Sequence, residues 1–232
     1  MQMKFIIGNW KMNGSVSMLR EFYDKLGDIQ TNNKIIICPP FTLLNTGLNK
    51  PNNIDLGAQN CSINGNGAYT GDISATMIAD TGAKYVIIGH SERRKYHNET
   101  NETVAISSTR ANQAGLIPII CVGEDLTNKE NGQTLKIIET QIKNSIPVGL
   151  SNFIIAYEPV WAIGTGLVPS VPEIEQIHTR IAELTSAPIL YGGSVNASNS
   201  GQILSIKNVS GVLIGGASLK IDEFVSIINS ID

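Results

Sequence analysis

The sequence predicts an α/β fold, a closed (β/α)8 barrel with a parallel eight-stranded core, and three observations carry that prediction. Eight short apolar runs recur along the chain. They are continuous rather than alternating, which is the pattern of strands covered on both faces, as in a parallel sheet. Helical start and stop signals lie between most of them, and the repeat fits within 232 residues, the usual span of one such barrel. An open doubly wound sheet is the competing architecture for the same alternation. No linker or shift in composition divides residues 1–232, so one domain is expected.

In chain order, Phe5 to Gly8, Lys34 to Cys38 and Ile54 to Ala58 are the first three strands. Asp72 and Ser74 supply start chemistry for a helix over Ala75 to Asp80, and Gly82 supplies its stop. Tyr85 to Gly89 is the fourth strand, followed by a helix from Glu102 to Ala114 closed by Gly115; Ile117 to Val122 is the fifth. Helical periodicity runs from Gly132 to Asn144, and Phe153 to Tyr157 is the sixth strand. Ser170-Val171-Pro172-Glu173 is a capping box with proline in the first turn, opening an amphipathic helix from Glu173 to Leu184. Pro188 to Tyr191 and Gly211 to Ile214 complete the strands, and Lys220 to Ile231 is the last helix. Two connections exceed what a barrel requires: Gln59 to Ile73, and the segment after the sixth strand. Long ordered loops usually carry function.

Composition narrows the function classes. Net charge is −3, and no basic cluster exceeds Arg93-Arg94-Lys95, so no nucleic acid and no anionic membrane is expected as a partner. The N-terminal apolar stretch is too short for a signal sequence, and nowhere are there about 18 consecutive apolar residues. Cys38, Cys61 and Cys121 are odd in number and show no C-x-x-C spacing, which fits a reducing, cytoplasmic compartment. The three histidines are scattered, with no metal-ligand spacing, so no metal is expected; His97 and His178 are read as structural. No dinucleotide fingerprint, Walker A lysine or G-x-S-x-G elbow occurs, so no cofactor is expected.

Chemistry in such a barrel sits at the C-terminal ends of the strands. Those exits read Asn9-Trp10-Lys11, Gln59-Asn60, His90-Ser91-Glu92, Gly123-Glu124, Glu158, Gly192-Gly193-Ser194 and Gly215-Gly216. The glycine pairs on the last two strands either make tight turns or present backbone N–H groups to an anion; Lys11 at the same rim favours a phosphate. His90 precedes a short helical start, and a helix N-terminus disfavours imidazolium, so on its own it reads either as a neutral hydrogen-bond donor for chemistry or as a structural hydrogen-bonder. Glu158 ends the sixth strand and is followed by Pro159, an apolar patch with Trp161, and Gly164 and Gly166. That composition reads as a base beneath a stiff, mobile lid. What remains is cofactor-free acid/base chemistry on a small phosphorylated substrate.

The motifs match one family. Gly8-Asn-Trp-Lys-Met-Asn13, Gln59-Asn60 with Gly67-Ala-Tyr-Thr-Gly71, Gly89-His-Ser-Glu-Arg-Arg94, Cys121-Val-Gly-Glu124, Tyr157 to Gly166, Tyr191-Gly-Gly-Ser-Val195 and Gly215-Gly-Ala-Ser218 occur in order. On these the chain resembles the triosephosphate isomerases over essentially its whole length. The resemblance implies a TIM barrel and cofactor-independent interconversion of dihydroxyacetone phosphate and D-glyceraldehyde 3-phosphate through an enediol(ate), in glycolysis and gluconeogenesis. It makes Glu158 the base and neutral His90 the electrophile, an assignment known for this family and carried over rather than read from spacing. Asn9 and Lys11 would stabilise developing charge, with Glu92 and Ser91 in support. The phosphate would be held at Gly164, Ser194, Gly215 and Gly216 with help from Lys11. The lid would be Pro159, Val160, Trp161, Ala162, Ile163, Gly164, Thr165, Gly166, Leu167, Val168 and Pro169, closing to stop the intermediate from expelling phosphate.

The long third loop resembles the family's dimer arm, implying a homodimer in which Thr70 reaches the neighbouring site near Asn9 and Arg93 pairs with Asp72. Four departures from the family pattern stand out. The distal hinge Leu167-Val168-Pro169 lacks a frequent lysine, and Asp72 stands where Glu is common. Ser210 replaces a frequent Asp, which is expected to leave Arg180 without a carboxylate partner. The connection around Thr185 to Pro188 is short.

Overall fold

The computed structural model describes residues 3–46 and 48–231. Residues 1, 2, 47 and 232 of the expected single domain lie outside the described ones. The strands are β1 (Phe5–Asn9), β2 (Lys34–Cys38), β3 (Ile54–Ala58), β4 (Tyr85–Ile88), β5 (Ile117–Val122), β6 (Ile154–Tyr157), β7 (Ile189–Tyr191) and β8 (Gly211–Ile214). All neighbours pair in parallel, and β8 pairs back onto β1, so the sheet closes into a barrel rather than lying open. The helices are α1 (Val16–Gly27), α2 (Ala75–Asp80), α3 (Ser91–Tyr96), α4 (Asn101–Gln113), α5 (Leu126–Glu130), α6 (Thr134–Ser145), α7 (Val171–Leu184), α8 (Ser200–Leu204) and α9 (Ile221–Ile228).

The strands are apolar throughout because both of their faces are buried. Ile7, Ile36, Ile87, Ile119, Ala156, Leu190 and Leu213 fill the barrel interior. Their neighbours Ile6, Ile35, Val86, Ile120, Ile155 and Val212 face the helices, so the period-two alternation separates two apolar environments instead of core from solvent. Closure at the seam requires a glycine, since a Cβ on Gly211 would collide with the backbone of Phe5 on β1.

The helices depart from the sequence expectation in specific places. α1 was not anticipated, although Ser15 caps it by accepting from the Met18 N–H at 3.2 Å and Leu19, Phe22, Tyr23 and Leu26 form its buried stripe. α5 and α8 have five residues each, too few to display a period. Between β2 and β3 the described residues form no α-helix, but a 3-10 turn over Phe41–Leu43. Gly132 has φ 67°, a left-handed conformation, so α6 begins at Thr134 rather than at Gly132. α9 ends at Ile228 and a 3-10 turn, Asn229–Ile231, follows. Ser74 caps α2 through the Met77 N–H, whereas Asp72 accepts from the Ser62 hydroxyl at 2.7 Å.

At the start of α7 the Glu173 carboxylate accepts from both the N–H and the hydroxyl of Ser170, at 2.8 and 2.7 Å. The expectation that Arg180 lacks a carboxylate partner is overturned. Its guanidinium donates to Glu139 on α6 at 2.7 Å and to Glu183, one turn further along its own helix. Among the described residues no helix is long and apolar enough to cross a membrane.

His178 on α7 is fully buried, with Nδ1 donating to the Asn208 carbonyl at 3.3 Å and its ring edge-on to Tyr157. Burial pulls its pKa down to about 4 from 6.5. Between those values the unfolded chain binds a proton that the native ring refuses, so stability is complete above about pH 6.5 and is lost as pH falls through about 4. Denaturant midpoints should fall over that window by roughly 3 kcal/mol beyond the contribution of the carboxylates, and His178→Gln should flatten this component. An unchanged slope in that variant would remove His178 from the acid response.

Candidate active site

Each functional side chain at the barrel rim is placed by a strand exit. β1 delivers Asn9, which is buried, and then Lys11, whose φ of 51° is left-handed. The Asn9 side-chain oxygen accepts from the Lys11 N–H at 3.0 Å, and Gln59 donates to the carbonyls of Lys11 and Cys38 at 2.8 and 2.9 Å. These bonds satisfy a backbone that a lysine would not adopt unaided. The Lys11 ammonium reaches across to Glu92 on α3 at 2.6 Å.

His90 caps α3. The Glu92 N–H points at its Nδ1 from 3.2 Å, so Nδ1 accepts and the ring proton sits on Nε2. Nε2 lies 3.0 Å from Glu158 Oε1, and the Ser91 N–H donates to Glu158 Oε2 at 3.0 Å. Burial alone would raise the Glu158 pKa, but His90, the Ser91 N–H and the Lys11 charge outweigh it and hold the carboxyl below its ordinary value. For His90 the structure modifies the expectation. Burial lowers its pKa, yet the Glu158 and Glu92 carboxylates raise it more, so the net shift is upward while Glu158 is docked against it. The Glu158 share of that upward pull comes through the 3.0 Å contact with Nε2, whereas burial and the Lys11 charge act against imidazolium and the Glu92 carboxylate favours it.

The wall behind Glu158 is tightly fitted. A Cβ on Gly123 would overlap the Glu158 carbonyl, and one on Gly192 would stand 3.0 Å from the Glu158 Cγ. Gln141 on α6 fixes Gly123 from outside, accepting from its N–H at 2.7 Å and donating to its carbonyl at 3.0 Å.

Beyond Glu158 the chain makes a 3-10 turn over Val160–Ala162 and then left-handed steps at Gly164 and Gly166. Residues 164–168 are exposed, Pro169 is buried, and the Ala162 carbonyl accepts from the Ser194 hydroxyl at 2.6 Å. Trp161 donates from its indole to Glu124 at 2.9 Å, and the Tyr157 hydroxyl donates to the same oxygen at 3.2 Å. The segment is thus tethered at its base with its tip in solvent.

A cavity of about 330 Å³ gathers Asn9, Lys11, His90, Glu158, Gly164, Ser194, Gly215 and Gly216, together with Lys220 and Glu223. None of the Gly164, Ser194 and Gly216 N–H groups meets an acceptor among the described residues, and Gly216 has open space where a side chain would stand. A base, a polarising donor, a lysine and three N–H groups therefore face one volume, a layout suited to proton transfer on a small anion. Thr70, Asp72 and Arg93 lie apart from it. Asp72 and Arg93 line a separate recess of about 370 Å³, where Arg93 is paired with Glu99 of its own chain. No group of three or more His, Cys, Asp or Glu among the described residues is arranged to hold a metal ion.

A sequence model of the family described as triosephosphate isomerase matches residues 4–231. The chain belongs to the triosephosphate isomerase family. It is 43% identical over 240 residues to the triosephosphate isomerase of Ruegeria sp. (strain TM1040), covering 98% of each. To the triosephosphate isomerase of the Wolbachia of Brugia malayi it is 44% identical over 230 residues, covering 98% of this chain and 97% of the relative. The crystal structure of triosephosphate isomerase from Bartonella henselae superposes with a TM-score of 0.90 at 39% identity, over 98% of each chain.

Motif reading in this triosephosphate isomerase family member brought together Asn9, Lys11, His90, Glu92 and Glu158, but it gave no role to Gln141, Glu124, Tyr157 or Tyr191. The partners of the first three lie far away in sequence. The Tyr191 hydroxyl is buried without a hydrogen-bond partner beside Gly193 and Pro159, and only its place one residue before a glycine pair marked it.

Gly123→Ala is expected to displace the Glu158 backbone and lower kcat by about a hundredfold, the scale for misplacing a reacting group by roughly 1 Å. Near-normal turnover with an intact fold would show that this wall does not set the position of Glu158.

Proposed function

We infer that this chain interconverts dihydroxyacetone phosphate and D-glyceraldehyde 3-phosphate without a cofactor. Glu158, ionised at neutral pH, takes the proton from the carbon beside the carbonyl and returns it to the neighbouring carbon. His90 donates from Nε2 to the substrate oxygen that gains charge, and Lys11 and Asn9 stabilise that charge. The observation that carries the reading is the carboxylate of Glu158, 3.0 Å from His90 Nε2 and lining the same cavity as the unpartnered N–H groups. Those N–H groups, at Gly164, Ser194 and Gly216, hold the phosphate with Lys11, while Gly215 leaves room beside the lysine. Ser91 and Glu92 support the pair by holding Glu158 and fixing the His90 tautomer.

Residues 159–169 act as the lid. In the open arrangement Glu158 is committed to Ser91 and His90, so closure must accompany its swing toward substrate. Pro159 and the buried Pro169 form the stiff ends, and Leu167 and Val168 lie exposed beside the distal one.

The working form is a homodimer in the cytoplasm. The exposed apolar side chains Ile63, Tyr69 and Tyr96 belong to loop three and α3, as do Thr70, Asp72 and Arg93, and support an interface there. A partner's Asp72 would compete with Glu99 for Arg93. The three buried free cysteines accord with a reducing compartment.

An assay with triose phosphates beside a panel of larger sugar phosphates should show turnover of the triose phosphates alone. Glu158→Gln should keep the fold and reduce kcat by about 10²-fold or more; turnover near that of the parent would remove Glu158 from the mechanism. Pro169→Gly should raise the fraction of intermediate lost as free phosphate and methylglyoxal, and an unchanged ratio would exclude control of closure by this proline.

A further inference from the structure

Lys129, on the short helix α5, takes no part in the proposed chemistry, yet it touches the lid near its first hinge and the helix that follows the lid. Its ammonium lies 3.3 Å from the centroid of the Trp161 ring, a cation–π contact at close range. The same ammonium lies 3.5 Å from Glu173 Oε1. Trp161 sits just past the first hinge. Glu173 lies four residues beyond Pro169, in the first turn of α7, where its other oxygen holds Ser170. One cation therefore joins the start of the segment whose tip must move to the helix beyond it, and it stands on an element that the lid does not carry with it.

The surroundings make that contact conformation-specific. Trp161 donates to Glu124 and presents its face to Lys129 at once, over a recess of about 270 Å³ shared with Tyr157, Pro169 and Glu173. The indole cannot travel toward the phosphate cradle without leaving the ammonium, whereas Lys129 and Glu173 stay on their helices. Every favourable contact of the Trp161 ring with this cation therefore belongs to the open state and works against closure. Asp125 caps α5 by accepting from the Asn128 N–H at 2.8 Å, which keeps Lys129 in place.

We propose that Lys129 is a positioning residue for the isomerase reaction: held by Glu173, it latches the open lid through Trp161 and so sets how much phosphate-binding energy closure consumes. The proposal rests on the reading of residues 159–169 as a lid. It assigns Lys129 an effect on the open–closed balance and on KM, and none on proton transfer.

The test is Lys129→Met, which keeps the stem and removes the charge, beside Lys129→Arg, which keeps a cation able to stack on the indole. The ligand is glycerol 3-phosphate, which carries the phosphate but no carbonyl. The readout is the fluorine spectrum of protein labelled with 5-fluorotryptophan; the chain has two tryptophans, so two resonances are assigned by Trp161→Phe. Lys129→Met should bind glycerol 3-phosphate about threefold to tenfold more tightly, with a similar fall in KM, no rise in kcat and a Trp161 resonance shifted toward the bound position. Lys129→Arg should stay near the parent in all four.

An unchanged or weaker affinity in Lys129→Met, with the parent's Trp161 resonance still moving on binding, overturns the latch alone. A Trp161 resonance that does not respond to saturating ligand in the parent overturns the lid reading and the latch with it. A lowered Tm with unchanged affinity would reduce Lys129 to a structural contact and likewise overturn the proposal.

Discussion

The site depends on keeping a carboxylate charged in a place where burial favours the neutral acid. Glu158 is almost fully buried, and what keeps it ionised is a short list of donors: His90 Nε2–H, the Ser91 N–H and the more distant Lys11 ammonium. Each of those donors depends on architecture elsewhere. His90 has its tautomer set by the Glu92 N–H at the start of α3, and Lys11 holds a left-handed backbone only because Asn9 and Gln59 satisfy the chain around it. Gly123, Gly192 and Gln141 close the space behind the base. The ends of five other strands, one short helix and two glutamine side chains thus converge on one negative charge.

The same charge accounts for the coupling between chemistry and motion. In the open arrangement Glu158 spends its hydrogen-bonding capacity on Ser91 and His90, which stabilises the carboxylate but leaves it unable to act on substrate. In the mechanism proposed above, moving it removes the larger of the two carboxylate pulls that raise the basicity of His90 and leaves the Nε2 proton free for the substrate oxygen. In the same proposal, a lid that excludes water would strengthen the remaining interactions around the reacting carbons. The proposed proton transfer between adjacent carbons calls for a base, a donor and a place for the phosphate, which Glu158, His90 and the N–H groups of the cavity are proposed to supply.

Much of this was legible in the sequence because the barrel imposes a local signature. Strands buried on both faces are apolar throughout, so their ends are sharp, and the residues just past them fall at one rim. That placed Asn9, Lys11, His90, Glu158 and the glycine pairs without any tertiary information. Long-range partners left no comparable trace. Gln141 lies 18 residues from Gly123, and Glu124 meets Trp161 across 37 residues, separations at which neither periodicity nor capping rules speak. The five-residue helices were too short to show a period, and Arg180 found Glu139 on a neighbouring helix that its own segment could not foretell. The His90 reading was incomplete for the same reason: a helix terminus is local, but the opposing carboxylate arrives from another strand.

The most direct test of the central claim is the titration of Glu158 itself. Carbon-13 spectra of protein labelled at the glutamate carboxyl carbons, with the Glu158 signal assigned through Glu158→Gln, should show this buried group ionising below the ordinary carboxylate range in the free enzyme. A midpoint above that range would mean that burial outweighs His90, Ser91 and Lys11, and that the donors gathered around Glu158 do not hold it ready as a base.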